Sequence, residues 1–245
     1  MTPGARLSLL LDFDGTLVPI ARTPEAVSVS DDLRRLIATA LERLDTRVAI
    51  ISGRSIEQLD ALWGRSLWPV TVAASHGLEL RHEGRLRAPP PASIFALLAR
   101  ETEARFGASR GVVLELKSYG LGLHYRLAPR LADAMHDWAK ECAQEHDLVI
   151  QAGDQVFELR LPGADKGDAV RAIMQLHPFA ESVPVYIGDD LTDIAAIAAA
   201  RECGGGGIAV GERIAAHADA ILADPAAVHD HISKLLEGAP DGFIT

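Results

Sequence analysis

Two aspartates, Asp12 and Asp14, end the apolar run Leu7-Ser8-Leu9-Leu10-Leu11 and are followed at once by Gly15 and Thr16. The run is short, continuous and bounded by a turn signal, as expected of a strand buried on both faces of a parallel sheet. Residues i and i+2 of a strand point the same way. Both carboxylates should therefore emerge together at the strand's carboxyl end, where open α/β sheets place their ligands. Adjacent carboxylates repel, and burying them unpaired is costly. A hard cation with a preference for oxygen, such as Mg²⁺, resolves that conflict.

Three other stretches carry compatible chemistry. Ser52-Gly53-Arg54 follows a second apolar run and opens a helix. A hydroxyl with free helix-start N–H groups can hold a phosphate, and a helix N-cap is an equally good use of the same serine. Lys166-Gly167 stands at a helix start after Gly163, where an ammonium would neutralise phosphate oxygens. Gly188-Asp189-Asp190-Leu191-Thr192-Asp193 puts three acids at another helix start. Dipole capping would use such acids, as would a cation shared with Asp12 and Asp14. The chain has only four lysines, Lys117, Lys140, Lys166 and Lys234. Where arginine is the usual cation, a retained lysine marks a place for a compact ammonium rather than a planar fork.

The elements that must position these groups alternate. Helical spacing at Asp31–Leu44 separates the first strand from a second at Arg47–Ile51. A helix over Ile56–Trp63 precedes a third strand, Pro69–Ala74, which ends at Ser75-His76-Gly77. Ala88-Pro89-Pro90-Pro91 then breaks the rhythm. Beyond it the order becomes helix (Ala92–Phe106), two strands (Val112–Lys117, Leu121–Arg126), helix (Pro129–Glu145) and a hairpin around Gly153-Asp154 (Leu148–Gln151, Val156–Leu161). That is a small α+β block of two αββ units. From Asp165 the alternation returns: helix Lys166–Leu176, strand Val183–Ile187, helix Leu191–Arg201, strands at Ile208–Val210 and Ala220–Leu222, and a helix near Pro225–Leu236. Gly204–Gly207 reads as a flexible turn, since no Gly-Lys-Ser/Thr follows it. The expected fold is α/β, a doubly wound, mostly parallel sheet formed by residues 1–87 and 161–245, interrupted by an inserted domain at residues 88–160.

Composition narrows the function. The 245 residues include 48% hydrophobic and 5% aromatic side chains, with a formal net charge of −10. Scarce aromatics and excess acid argue against nucleic acid and anionic membrane as partners. An anionic small substrate stays open, because a metal and a few bases reverse the field inside a cleft. Cys142 and Cys203 sit in no metal or redox motif and read as free thiols of a reducing compartment. The expectation is a soluble, cytoplasmic, monomeric protein.

In that order, the four core motifs resemble the haloacid dehalogenase-like phosphatases. The resemblance implies an aspartyl-phosphate mechanism. Asp12 would attack phosphorus, and Asp14 would act as acid and then base. Ser52 and Lys166 would stabilise the transferring phosphoryl group. Mg²⁺ would be held by Asp12, the Asp14 carbonyl and Asp189, with Asp190 and Asp193 supporting it. Gly15 would let the backbone approach phosphoryl oxygens.

Three further segments are similar to those of trehalose-6-phosphate phosphatases. They are Ser75-His76-Gly77-Leu78-Glu79, then Leu114-Glu115-Leu116-Lys117 with Leu123-His124-Tyr125-Arg126, then Val156-Phe157-Glu158-Leu159-Arg160 leading to Lys166-Gly167. The resemblance makes the inserted domain a cap that selects a sugar phosphate, and places the activity in trehalose biosynthesis. Expected substrate contacts are Gly15, Thr16, Gly53, Arg54, His76, Glu115, Lys117, Arg126 and Glu158. Carboxylates accept from sugar hydroxyls and an ammonium donates to them. For Glu115 and Glu158 a cross-strand ion pair is the competing reading, for His76 a hydrogen-bonded core position. Leu116 and Ile194 stand where the family usually has acids, which leaves sucrose 6-phosphate or mannosyl-3-phosphoglycerate as alternative substrates. A non-catalytic sugar-phosphate-binding module is the alternative of another class. Ala88–Pro91 and Leu161–Ala164 are the expected hinges for closure.

Overall fold

The structure is a computed structural model that describes residues 6–21, 23, 26–153 and 155–237. Asp154, in the expected hairpin turn, lies outside them. The elements in chain order are β1 (Arg6–Asp12), α1 (Asp31–Arg43), β2 (Val48–Ile51), α2 (Ile56–Trp63), β3 (Thr71–Ala74), β4 (Glu79–His82), β5 (Arg85–Arg87), α3 (Ile94–Phe106), β6 (Val113–Lys117), β7 (Gly120–His124), α4 (Ala132–His146), β8 (Val149–Gly153), β9 (Val156–Arg160), α5 (Lys166–Ile173), β10 (Ser182–Gly188), α6 (Asp193–Glu202), β11 (Gly206–Val210), β12 (Ala220–Leu222) and α7 (Pro225–Leu236). They divide into two compact units, Met1–Ala88 with Ala164–Thr245, and Pro89–Gly163. The second unit runs past residue 160 because the Leu161 N–H still donates to the Tyr119 carbonyl at 3.2 Å.

The first unit is an α/β sheet in the order β12-β11-β10-β1-β2-β3-β4-β5. β1 pairs in parallel with both β10 and β2, so the chain reverses direction across the sheet at β1. The carboxyl end of such a strand is the topological switch point of a doubly wound sheet. Successive β1 side chains enter opposite layers. Leu9 and Leu11 pack with Ile37, Leu59, Val228 and Ile232, from α1, α2 and α7. Leu10 packs with Val170, Ile173, Ile197 and Tyr186 on the face of α5 and α6. Each buried leucine contributes roughly 1.5–3 kcal/mol, so the strand that carries Asp12 is among the best-held parts of the unit.

Helix starts are marked by side-chain caps. Ser30 accepts from the Leu33 N–H, and Asp224 accepts from the Ala227 N–H before Pro225 opens α7. Ser55 with Gln58 and Asp165 with Asp168 form reciprocal capping boxes at α2 and α5. Each cap contributes about 1 kcal/mol. The two boxes fix the starts of the helices that follow Ser52-Gly53-Arg54 and carry Lys166.

One expectation needs correction. The Gly204–Gly207 run is not simply a flexible turn, because Gly206 and Gly207 belong to β11 and are buried. A Cβ on Gly205 would lie 1.9 Å from the Pro184 carbonyl oxygen, and one on Gly207 would lie 2.5 Å from Ile197. Close packing of strand and helix requires the glycines there. The hairpin β4–β5 was also unforeseen. It extends the sheet antiparallel from β3, and its polar sequences, ELRH and RLR, hide the strand signal.

The second unit is an antiparallel sheet, β6-β7-β9-β8, with its two hairpins joined through β7 and β9. Leu121, Leu123 and Leu159 from one face pack on Phe95, Leu98 and Phe106 of α3 and on Met135, Ala139 and Cys142 of α4. Burial, followed by nearby Glu101, Glu141 and Glu145, pushes the Cys142 thiol up to about 11. Among the described residues no helix is long and apolar enough to cross a membrane.

Candidate active site

Asp12 is the last residue of β1, Lys166 the first of α5 and Asp193 the first of α6. All three are buried. Lys166 Nζ donates to Asp12 Oδ1 at 2.6 Å and to Asp193 Oδ1 at 2.6 Å. Burial pushes the Asp12 carboxyl well up. The Lys166 charge opposes that rise, while Asp193 and Asp189 add to it. For Lys166 burial acts downward, but Asp12 and Asp193 outweigh it and hold the ammonium charged. Asp189 is raised to about 7, by burial first and then by Asp193. One ammonium thus faces three carboxylates. Such groups cost more in desolvation than a hydrophobic cluster of the same volume.

A hard divalent cation fits the donor set. Asp12, Asp189 and Asp193 each offer an oxygen, all within 4.8 Å of one another. Asp189 Oδ1 is buried without a hydrogen-bond partner among the described residues. Gly15, at φ +85°, is what lets the loop after β1 approach, since a Cβ there would lie 2.1 Å from Asp189 Oδ2. Asp193 has little left to offer. Its Oδ1 accepts from Lys166 and from the Tyr186 hydroxyl, and its Oδ2 accepts from the N–H groups of Asp189 and Asp190 at 3.0 and 2.9 Å. Asp12 and Asp189 are the carboxylates with capacity remaining. Asp190 is not brought into the cluster, because its carboxylate pairs with Arg213 at 2.6 Å. The Asp14 carboxylate also stands apart, taking two hydrogen bonds from Arg54 at 2.7 and 2.8 Å.

Ser52 follows β2 and is buried, its Oγ accepting from the Arg54 N–H at 3.1 Å. The helix N-cap is Ser55, so Ser52 is not spent on that role. The Ser75-His76-Gly77 turn braces this loop. His76 N–H donates to the Ser52 carbonyl and Ser75 N–H to that of Arg54, at 3.0 and 2.8 Å. Ser75 and His76 sit at φ +48° and +57°, a region that non-glycine residues occupy only when their surroundings hold them there. A Cβ on Gly53 would lie 2.6 Å from the His76 ring. His76 is buried, and its backbone N–H supports the loop. Glu79 accepts from Ser75 Oγ at 2.6 Å and from the Ile56 N–H at 3.2 Å. Thr16 is fully buried, its hydroxyl without a partner among the described residues.

The second unit has a polar cluster of its own. On the sheet face opposite α3 and α4, register aligns Glu115 with Gly122 and Gly122 with Glu158. Lys117 Nζ donates to Glu158 Oε1 at 3.0 Å and lies 3.8 Å from Glu115 Oε2. His124 Nε2 is 3.0 Å from Glu115 Oε2. The two bare glycines of β7 give these side chains room. Arg126 follows β7, two residues beyond its end. Glu79 closes the Ser75-His76-Gly77-Leu78-Glu79 segment and braces its turn. Tyr186, a single aromatic in an apolar strand, carries no spacing signal.

A parallel sheet with acidic loops at the ends of β1 and β10, and a lysine opening the helix between them, is the haloacid dehalogenase-like architecture. A solved structure described as a trehalose-6-phosphate phosphatase related protein superposes with a TM-score of 0.82 at 26% identity, over 94% of this chain and 97% of that one. The C-terminal domain of the Candida albicans trehalose-6-phosphate phosphatase shares the fold, with a TM-score of 0.80 at 24% identity over 95% and 92% of the two chains. A probable trehalose-phosphate phosphatase of Sinorhizobium fredii is 35% identical over 213 residues, 85% of this chain and 79% of that protein. The Escherichia coli trehalose-6-phosphate phosphatase is 33% identical over 210 residues, 84% and 78% of the two. Residues 10–210 match the trehalose-phosphatase family, and the chain belongs to it.

Proposed function

We propose that this protein is a Mg²⁺-dependent phosphatase that hydrolyses trehalose 6-phosphate to trehalose and phosphate. The observation that carries the reading is the single ammonium of Lys166 held 2.6 Å from both Asp12 and Asp193 at the carboxyl edge of the sheet. A phosphate monoester dianion needs a nucleophile, compensating positive charge and a proton for its leaving group. Asp12 attacks phosphorus, the bond to the sugar oxygen breaks, and Asp14 delivers a proton to that oxygen. Asp14 then takes a proton from the water that attacks the aspartyl phosphate, which regenerates Asp12 and releases phosphate. Lys166 and Ser52 stabilise charge on the transferring group. Asp12 and Asp189 hold Mg²⁺, which supplies Lewis-acid neutralisation of the phosphoryl oxygens.

In this reading the second unit is the substrate-selecting domain, with Glu115, Lys117 and Glu158 engaging sugar hydroxyls and Arg126 assisting. Arg54, Gly53, Gly15 and Thr16 serve the phosphate end. The protein is taken as a cytoplasmic monomer acting on a soluble small molecule. Phosphate release from trehalose 6-phosphate, glucose 6-phosphate, sucrose 6-phosphate and mannosyl-3-phosphoglycerate, with Mg²⁺ and with a chelator, tests the reading. Metal-dependent preference for trehalose 6-phosphate is the expected result. Turnover of another sugar phosphate alone would overturn the substrate assignment, and no release by folded, Mg²⁺-bound protein would overturn the chemistry.

A further inference from the structure

Tyr186 lies in β10, two residues before Gly188, and its side chain is fully enclosed among Ala169, Val170 and Ile197. A buried phenol needs a partner for its hydroxyl. This one donates to Asp193 Oδ1 at 2.5 Å, the oxygen that also takes Lys166. A carboxylate offers about four lone-pair sites. Asp193 has four donors: Tyr186, Lys166 and the N–H groups of Asp189 and Asp190. Every direction in which it could rotate is therefore filled. Gly188 adds to the confinement, since a Cβ there would lie 2.4 Å from Asp193 Cγ.

We propose that Tyr186 is a positioning residue for phosphoryl transfer, its hydroxyl locking Asp193 so that Lys166 stays directed at Asp12. The inference rests on the phosphatase reading above. Lys166 is shared evenly, at 2.6 Å to each carboxylate. Without the phenol, Asp193 Oδ1 loses one of its two donors and draws the ammonium more strongly. Lys166 then moves away from Asp12 and from the oxygens of the transferring group. Binding of the substrate, made largely by other residues, is left in place.

Tyr186→Phe removes the hydroxyl and keeps the ring, and Tyr186→Met removes both. With either variant kcat should fall about 10–100-fold, the usual cost of losing a group that orients a catalytic side chain. KM should change less than about twofold, because the lost interaction matters only in the transition state. The loss should be equal for the sugar phosphate and for p-nitrophenyl phosphate, because it arises at the reacting group. Single-turnover formation of the aspartyl phosphate should slow by the same factor. Wild-type kcat in both variants, a rise in KM instead, or a loss that follows melting temperature would overturn the proposal. Failure of both variants to fold would overturn it too, making Tyr186 a stability residue. Wild-type protein without phosphatase activity would instead reject the underlying reading.

Discussion

Arg54 grips Asp14 with two parallel hydrogen bonds, from Nε at 2.7 Å and from a terminal nitrogen at 2.8 Å. The guanidinium is buried between this pair and the ring of Phe13, 5.6 Å from its centroid. A forked pair of this kind sets direction as well as charge. It holds the residue proposed as acid and base at a fixed angle until the leaving oxygen competes for it. Arg54→Lys keeps the charge and removes the fork. We expect kcat to drop about 10–100-fold, in keeping with the loss of a charged hydrogen bond, with the melting temperature little changed. Steady-state kinetics beside a thermal melt checks this, and a variant with wild-type kcat would leave Arg54 without a role in orienting Asp14.

The acid cluster should make stability depend on both pH and metal. Asp189 has a raised pKa, about 7, against an ordinary 3.8. A raised carboxyl pKa means that the folded state holds the proton more tightly than the unfolded chain. Stability from this group is complete below the ordinary value and is lost as pH rises to about 7. A bound cation takes over the proton's place. The melting temperature of chelated protein should therefore fall between about pH 5 and about pH 8, and Mg²⁺ should raise it more at the higher pH. Equal stabilisation at both pH values would remove Asp189 from the metal site.

Lys117 tests the second unit. It is nearly buried beside Glu115 and Glu158, so Lys117→Met removes the only lysine in that cluster. For trehalose 6-phosphate, KM should rise about tenfold or more, the cost of a charged hydrogen bond. Turnover of p-nitrophenyl phosphate, which has no sugar, should be unchanged. Parallel loss with both substrates would show that the cluster does not read the sugar.

Gly207→Ala probes packing away from the chemistry. The new methyl would lie 2.5 Å from Ile197, and overpacking of this kind costs about 1–3 kcal/mol. The urea midpoint should fall with the slope unchanged. A neutral result would mean that α6 can shift to make room.

These residues also show what the sequence displays and what it conceals. The strand under Asp12 is legible because a buried parallel strand must be apolar on both faces, and Leu9, Leu10 and Leu11 are. The starts of α2 and α5 are set by Ser55/Gln58 and Asp165/Asp168, local devices three residues apart. Asp12, Lys166, Asp189 and Asp193 meet because each stands at a strand end or helix start, where a reader of motifs would look. The Arg54–Asp14 fork spans 40 positions and Tyr186–Asp193 crosses from strand to helix. Neither pairing has a periodicity to betray it. The glycines of β11 mislead for a related reason: absence of a side chain signals a loop locally, while its cause here is a neighbouring helix. β4 and β5 are edge elements with a half-solvated, polar pattern, and their alternation is too weak to separate from a loop.

The central place of β1 bears on how the protein is made. Its two partners are β2, which follows soon after, and β10, which begins at Ser182. Asp12 must wait for Lys166, 154 positions later, before its charge is answered. Ribosomes add about 5–20 residues per second, so for many seconds the nascent strand has one apolar flank unpaired and an uncompensated acid at its tip. The Pro89–Gly163 unit is continuous in sequence and has all its partners once it is synthesised. The segment proposed to choose the substrate can thus fold during translation, while the sheet that would carry the chemistry stays open and exposed to misassociation until its last third emerges.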